Sequence, residues 1–256
     1  MPEDAGLHYQ IYNRDEMLPV VLIHGAGGNY LYWPSEIRRM PGVRVYALDL
    51  PGHGKSAGTG QQSISAYVGS IVQWLQAVGL HRAVFVGHSM GGAIALRLAL
   101  EHPGNLLALG LIATSISMRV NPTLINDTAN KTHFERAVKN VISWSFSSQA
   151  PESLKNTAFK RLAKTRPSVL QGDFLACDGF NVHDRLGEIS CPVLVLCGIE
   201  DKMTPMGRVE QLADAIPQAR LEVISEAGHM VMLEKPRAVA DILQRFLQEI
   251  KFLETS

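Results

Sequence analysis

Gly87-His88-Ser89-Met90-Gly91-Gly92 places a serine between glycines two positions away on either side. An apolar run precedes it and an Ala/Leu-rich stretch follows. A serine hydroxyl is a poor nucleophile unless a base can reach it and its own backbone stands clear. A sharp strand-to-helix turn meets both needs, and side chains at Gly87 and Gly91 would clash in such a turn. The helix behind it would also present the Met90 N–H to an anion formed beside Ser89. The bland alternative is a glycine-rich turn kept for packing, since G-x-S-x-G also arises by chance. The strand before and the helix after favour the nucleophile.

A serine nucleophile needs a histidine base, and the chain has nine histidines. Most read as surface or packing residues: His8 falls in an edge strand, His81 and His102 at helix ends, and His133 and His183 in a helical segment. His229, in Glu226-Ala227-Gly228-His229, follows the last expected strand, behind a glycine suited to a tight turn. The base in turn needs a carboxylate to fix its tautomer and stabilise the imidazolium. Asp201 follows the strand expected at 192–197, with Glu200 as its rival. The chain order Ser89, Asp201, His229 is one of the known triad orders, and all three positions fall at strand ends.

A fourth loop, His24-Gly25-Ala26-Gly27-Gly28, follows the buried run 20–23. Backbone N–H groups aimed at a developing oxyanion are worth about 3–4 kcal/mol each, and glycines let the backbone approach a substrate closely. Ala26 is the expected second donor beside Met90, with Gly27 as the alternative. A phosphate loop is excluded here, because neither Gly-Lys-Ser/Thr nor a complete G-x-G-x-x-G follows.

These loops need a scaffold. A continuous apolar run at 19–23 suits a central parallel strand, 43–48, 83–87, 106–112, 192–197 and 219–224 are further strand candidates, and 7–12 alternates like an edge strand. Helical periodicity covers 64–78, with Gly79 at its C-terminal end, then 90–101, and the stretch after Pro236. From 114 to about 187 the alternation stops and short helices and turns take over. The expected fold is therefore α/β: a mostly parallel sheet flanked by helices, formed by 1–113 and 188–256, with 114–187 inserted as a helical cap. Ligands of such sheets bind beyond the carboxyl ends of the strands.

Composition narrows the classes. The 256 residues carry 24 basic and 24 acidic side chains, so there is no overall attraction for nucleic acid. Apolar stretches are far shorter than the ~20 residues of a membrane helix. Glu3 and Asp4 stand where a secretory leader would be apolar. Three cysteines, Cys177, Cys191 and Cys197, read as reduced thiols. The expectation is a cytoplasmic protein, monomer or homodimer, that handles a small molecule.

The set His24-Gly25, Asp49-Leu50-Pro51-Gly52-His53-Gly54-Lys55-Ser56, Gly87 to Gly92, Gly198-x-x-Asp201 and Gly228-His229 resembles the α/β-hydrolase fold family. The likeness spans nearly the whole chain outside the cap. It lies nearest to small cofactor-free bacterial esterases, enol-lactonases, perhydrolase-type haloperoxidases and carbon–carbon bond hydrolases. It implies Ser89 as nucleophile, His229 as general acid/base, Asp201 as the orienting acid, and oxyanion donors at Met90 and near Ala26. It also implies that the cap shapes the substrate pocket. The family opens with an antiparallel hairpin, yet only six residues precede 7–12, so the first strand should be short or missing, leaving about seven. Dehalogenases and epoxide hydrolases of this fold carry aspartate where Ser89 stands.

The expected activity is hydrolysis of a small carboxylic ester through an acyl-enzyme, without metal or organic cofactor. There is no H-E-x-x-H, and Cys191 and Cys197 lie on a strand beside no histidine pair. Lactones, thioesters, a C–C bond or perhydrolysis could use the same machinery, and a small-molecule sensor could keep it with little turnover. An adaptor with a dead site would show a damaged triad. The pocket is expected to include Gly27, His88, Trp144, Phe146 and Met230, with the Trp144-Ser145-Phe146 cluster the leading cap candidate. Of Met118, Phe134, Trp144, Phe146, Phe159, Phe174 and Phe180, about two should touch substrate. Arg119, Arg161, Arg166 and Arg185 could meet an acidic substrate but read better as surface charges.

Overall fold

The computed structural model describes residues 3–255. Its strands are β1 (Glu3–Asp4), β2 (Leu7–Tyr12), β3 (Pro19–Ile23), β4 (Arg44–Leu48), β5 (Ala83–His88), β6 (Leu106–Ile112), β7 (Val193–Gly198) and β8 (Ala219–Ile224). They form one sheet in the order β1-β2-β4-β3-β5-β6-β7-β8. β2 pairs antiparallel with β1 and β4, and the remaining neighbours are parallel. The short first strand is two residues long, and it brings the sheet to eight strands, seven of them of five residues or more.

The apolar runs are explained by burial on both faces. Val21 and Ile23 join Phe85, Leu109, Leu111, Val193 and Val195 in the core on one side. Val20 and Leu22 join Val84, Val86, Ala108, Leu194 and Leu196 on the other. Successive strand residues point to opposite faces, so a strand covered on both sides must be apolar throughout.

The helices are α1 (Ser35–Arg38), α2 (Ile64–Ala77), α3 (Met90–Glu101), α4 (Pro122–Ala129), α5 (Phe134–Ser145), α6 (Glu152–Leu162), α7 (Pro167–Asp178), α8 (Met206–Ala215), α9 (Val231–Glu234) and α10 (Pro236–Thr255). α2 begins where the Ser63 side chain accepts the Ala66 N–H, and Gly79 beyond its end takes φ +66°. α2, α3 and α8 cover the first face, and α1, α9 and α10 cover the second. No helix among the described residues is long and apolar enough to cross a membrane.

Helices α4 to α7 all lie between β6 and β7 and share a small core of Leu124, Ala137, Val138, Val141, Leu162, Leu170 and Phe174. The chain leaves and returns side by side. Val182 N–H donates to the Ile116 carbonyl at 3.1 Å, and Met118 N–H to that of Phe180 at 3.3 Å. β6 and β7 are parallel, so after the insertion the chain still has to run back along the sheet to enter β7, and Leu186 and Ile189 pack into the first core on that return.

Candidate active site

Ser89 stands at the turn from β5 into α3 with φ +52° and ψ −116°, a backbone conformation that costs about 1–3 kcal/mol. Its surroundings permit nothing else. A Cβ on Gly87 would lie 2.2 Å from the Gly91 carbonyl oxygen, and one on Gly91 would lie 2.1 Å from that of Ile23. The Ser89 N–H donates to the Ile112 carbonyl at 2.9 Å, tying the turn to β6. Met90 opens α3, so its N–H has no acceptor within the helix and is left to point out of it.

His229 lies between β8 and α9. One ring nitrogen, Nδ1, is 2.8 Å from Asp201 Oδ2, and both side chains are buried. Asp201 is fully occupied: Oδ1 accepts the N–H groups of Met203 and Thr204 at 2.8 Å each, and Oδ2 also accepts the Thr204 hydroxyl. Burial opposes its charge, but His229 and the Thr204 bonds outweigh that and hold the carboxyl below the usual aspartate range. Glu200, the rival, points away and accepts the N–H and hydroxyl of Ser148 at 2.9 Å each. Thr204 was not singled out from the sequence. An aspartate followed three residues later by threonine and then proline was the available signal, since such a pair closes a turn on itself.

Gly228 takes no positive φ, so a tight turn is not what it supplies. A Cβ there would lie 2.7 Å from the Ser147 amide, where the chain leaving α5 presses against the histidine loop. Glu234 joins the same two segments, accepting the Gly228 N–H at 2.8 Å and the Ser147 N–H at 3.0 Å. His88 lies below His229, with ring centres 4.9 Å apart, and its Nε2–H donates to the His229 carbonyl at 2.9 Å. Burial, then His229, push its pKa down to about 3, so it stays neutral and serves as a prop.

Ser89, His229, His88, Ala26 and Met230 line one cavity beneath the inserted helices. Met118, Val141, Ile142, Ser145, Leu162 and Phe174 supply most of its apolar roof. Of the seven large cap side chains from which about two are expected to reach the substrate, Met118 and Phe174 line it. Trp144 and Phe146 do not line this cavity, a correction with a helical cause. Both flank Ser145 at the end of α5, and Ser145 is the one turned inward; Trp144 faces solvent and Phe146 packs into the second core. Gly27 is the third correction. It is absent from the lining, and its N–H is committed to Asp173 Oδ2 at 2.8 Å, which removes it as an oxyanion donor. Among the described residues the Ala26 N–H has no protein acceptor. Arg119 lines the cavity together with Arg208, which sequence reasoning passed over. Arg161, Arg166 and Arg185 instead bind carbonyls or Glu188. No group of three or more His, Cys, Asp or Glu side chains is placed to hold a metal ion among the described residues.

A mostly parallel sheet carrying a strained serine after β5, a buried acid after β7 and a histidine after β8 defines the α/β-hydrolase class. The profile of the alpha/beta hydrolase family matches residues 20–242, and the chain belongs to that family. Its relatives differ in what they do. The acetyltransferase component of an acetoin-cleaving system from Cupriavidus necator is 30% identical, over 96% of this chain and 70% of that protein. A 2-hydroxymuconate semialdehyde hydrolase from Pseudomonas putida is 25% identical, over 98% of this chain and 94% of that one. Among solved structures, a thermophilic esterase is similar with a TM-score of 0.83 and 32% identity, over 97% of this chain and 96% of that chain.

Proposed function

We propose that this chain is a serine hydrolase that cleaves small carboxylic esters through an acyl-enzyme. The observation that carries the proposal is the 2.8 Å contact between His229 Nδ1 and Asp201, in a histidine that shares one cavity with the strained Ser89. With Nδ1–H held by the carboxylate, Nε2 is left as the basic nitrogen. Ser89 Oγ attacks the ester carbonyl as His229 takes its proton, and the new oxyanion accepts from the N–H groups of Met90 and Ala26. His229 returns the proton to the departing alkoxide. Water, deprotonated by the same ring, then attacks the acyl carbon, and the acid leaves with Ser89 restored. Residues 114–187 act as the cap of a single-domain enzyme. The apolar roof and the likeness to the thermophilic esterase support an ester.

One observation favours a second substrate type. Arg119 and Arg208 line the cavity, no carboxylate lines it, and neither guanidinium has an ion-pair partner among the described residues. A substrate bearing a carboxylate, cleaved at a C–C or lactone bond, would suit that charge. The decisive test is turnover of p-nitrophenyl esters of increasing chain length, wild type beside Ser89→Ala. Multiple turnovers lost in the variant are expected. Absence of turnover in wild type, or a single burst, would rule out the esterase.

A further inference from the structure

The inserted helices reach past the cavity into the loop that carries Ala26. Asp173, on α7, has no exposed surface and accepts three hydrogen bonds. Its Oδ2 takes the Gly27 N–H at 2.8 Å and His53 Nε2–H at 2.8 Å, and its Oδ1 takes the Tyr67 hydroxyl. From the turn between α6 and α7, the Thr165 hydroxyl donates to the Gly27 carbonyl at 2.8 Å. Both ends of Gly27 are thus held by the insertion.

That grip falls at a sensitive point. Gly28 N–H donates to the Gly25 carbonyl at 3.1 Å, closing a four-residue turn in which Gly27 takes φ +63°. This is the type II arrangement, and it differs from type I chiefly in a flip of the central peptide, here Ala26–Gly27. The N–H of that peptide is the one Asp173 holds. With both peptides of Gly27 tied to the insertion, the turn is fixed in place as a unit, and with it the position of the Ala26 N–H on the cavity wall.

The carboxylate is itself anchored by charge. His53 faces acceptors at both ring nitrogens, the Pro51 carbonyl at 3.0 Å from Nδ1 and Asp173 at 2.8 Å from Nε2, so it carries both protons. Burial opposes that charge, but the Asp173 carboxylate beside it wins and raises the His53 pKa. His24, with its ring centre 4.9 Å away, is the neutral partner. Its Nδ1–H donates to the Gly25 carbonyl at 2.8 Å, and its Nε2 accepts the Leu50 N–H at 3.0 Å. A buried aspartate paired with an imidazolium costs more to assemble than an apolar contact of equal volume. Packing of α7 does not require it.

We propose that Asp173 and Thr165 are positioning residues for oxyanion stabilisation, clamping the Gly25–Gly28 turn so that the Ala26 N–H meets the reacting oxygen. The proposal rests on the serine-hydrolase function above and deepens it: the cap and the oxyanion donor form one unit.

The test compares wild type, Ser89→Ala, Asp173→Ala and Thr165→Val on the best p-nitrophenyl ester, with an alkylboronic acid that forms a tetrahedral adduct on Ser89. Asp173→Ala removes every oxygen that Gly27, His53 and Tyr67 use, whereas an asparagine oxygen in the Oδ2 position could still accept from both Gly27 and His53. The kcat of Asp173→Ala should fall by about 10²-fold, towards the loss of one oxyanion donor, with KM within about threefold of wild type. Boronate affinity should fall in step, because the lost interaction belongs to the tetrahedral species. Thr165→Val removes one neutral hydrogen bond beside solvent, and the same pair of readouts should drop about 2–10-fold. If Asp173→Ala fails to fold, Thr165→Val decides the matter. An active wild type whose folded variants keep kcat and boronate affinity overturns the clamp, even if they melt earlier. A wild type that turns over no ester overturns the hydrolase function and the clamp with it.

Discussion

Asp201→Asn is the most informative single change, because the structure dictates which way the amide must turn. Oδ1 accepts two backbone N–H groups, from Met203 and Thr204. An asparagine that put its NH₂ there would leave two buried donors facing a donor, at about 1–3 kcal/mol each. The amide oxygen therefore stays at the Oδ1 position and the NH₂ takes the place of Oδ2, where His229 Nδ1 and the Thr204 hydroxyl now point. Facing a donor, Nδ1 must become the acceptor, so the ring proton moves to Nε2 and the base is turned away from its task. The expected loss is about 10⁴ in kcat, equivalent to about 5.5 kcal/mol of transition-state stabilisation. Steady-state kinetics on a p-nitrophenyl ester at pH 8 measure it, with the melting temperature confirming that the fold survives. Glu200→Gln serves as the comparison, because that carboxylate only caps Ser148 at the surface. A loss under tenfold in Asp201→Asn, or a greater loss in Glu200→Gln, would refute the tautomer reasoning.

Two further predictions concern the frame. Gly91→Ala forces a Cβ to 2.1 Å from the Ile23 carbonyl and 2.7 Å from that of His24, both backbone atoms that no rotamer change can move. We expect a loss of about 3 kcal/mol or more in thermal unfolding, whereas Gly69→Ala, exposed on α2 with nothing within 4 Å, should be neutral or up to about 1 kcal/mol stabilising. Equal melting temperatures for the two variants would discredit the packed elbow. The His53–Asp173 pair predicts a pH dependence of stability. Because the folded pKa of His53 is raised, its contribution is complete below about pH 6.5 and fades as pH rises through the folded value. The melting temperature of wild type should thus decline more steeply between pH 6 and 9 than that of Asp173→Asn, and parallel curves would count against a charged His53.

Residues that depend on their near neighbours in the chain could be read directly. The elbow is one case, since Gly87 is required by backbone four and five residues away and Gly91 by backbone at the end of the adjoining strand. The strands are another, because burial on both faces leaves an unbroken apolar run. Ser89, Asp201 and His229 came into view together because each follows a strand, and parallel strands deliver their carboxyl ends to one edge. Trp144 and Phe146 were misplaced for the opposite reason. Where α5 ends, three consecutive residues point in three directions, and only packing against β-sheet loops decides that Ser145 faces the cavity.

Asp173 left no trace in the sequence: a lone aspartate in an ordinary helix, whose partners Gly27, His53 and Tyr67 lie on three other elements. The same holds for Gly27, an open choice beside Ala26 until the Asp173 carboxylate occupied its N–H. Sequence by itself determined the fold class, the order of the chemistry and the identity of nucleophile and base candidates, because strand burial and turn sterics act over a few residues. Tertiary structure decided which amide is free to meet an oxyanion, which cap side chains line the cavity and which histidine is charged. Those outcomes depend on hydrogen-bond partners and desolvation contributed by segments more than a hundred residues apart, as between Gly27 and Asp173, and no local pattern encodes them.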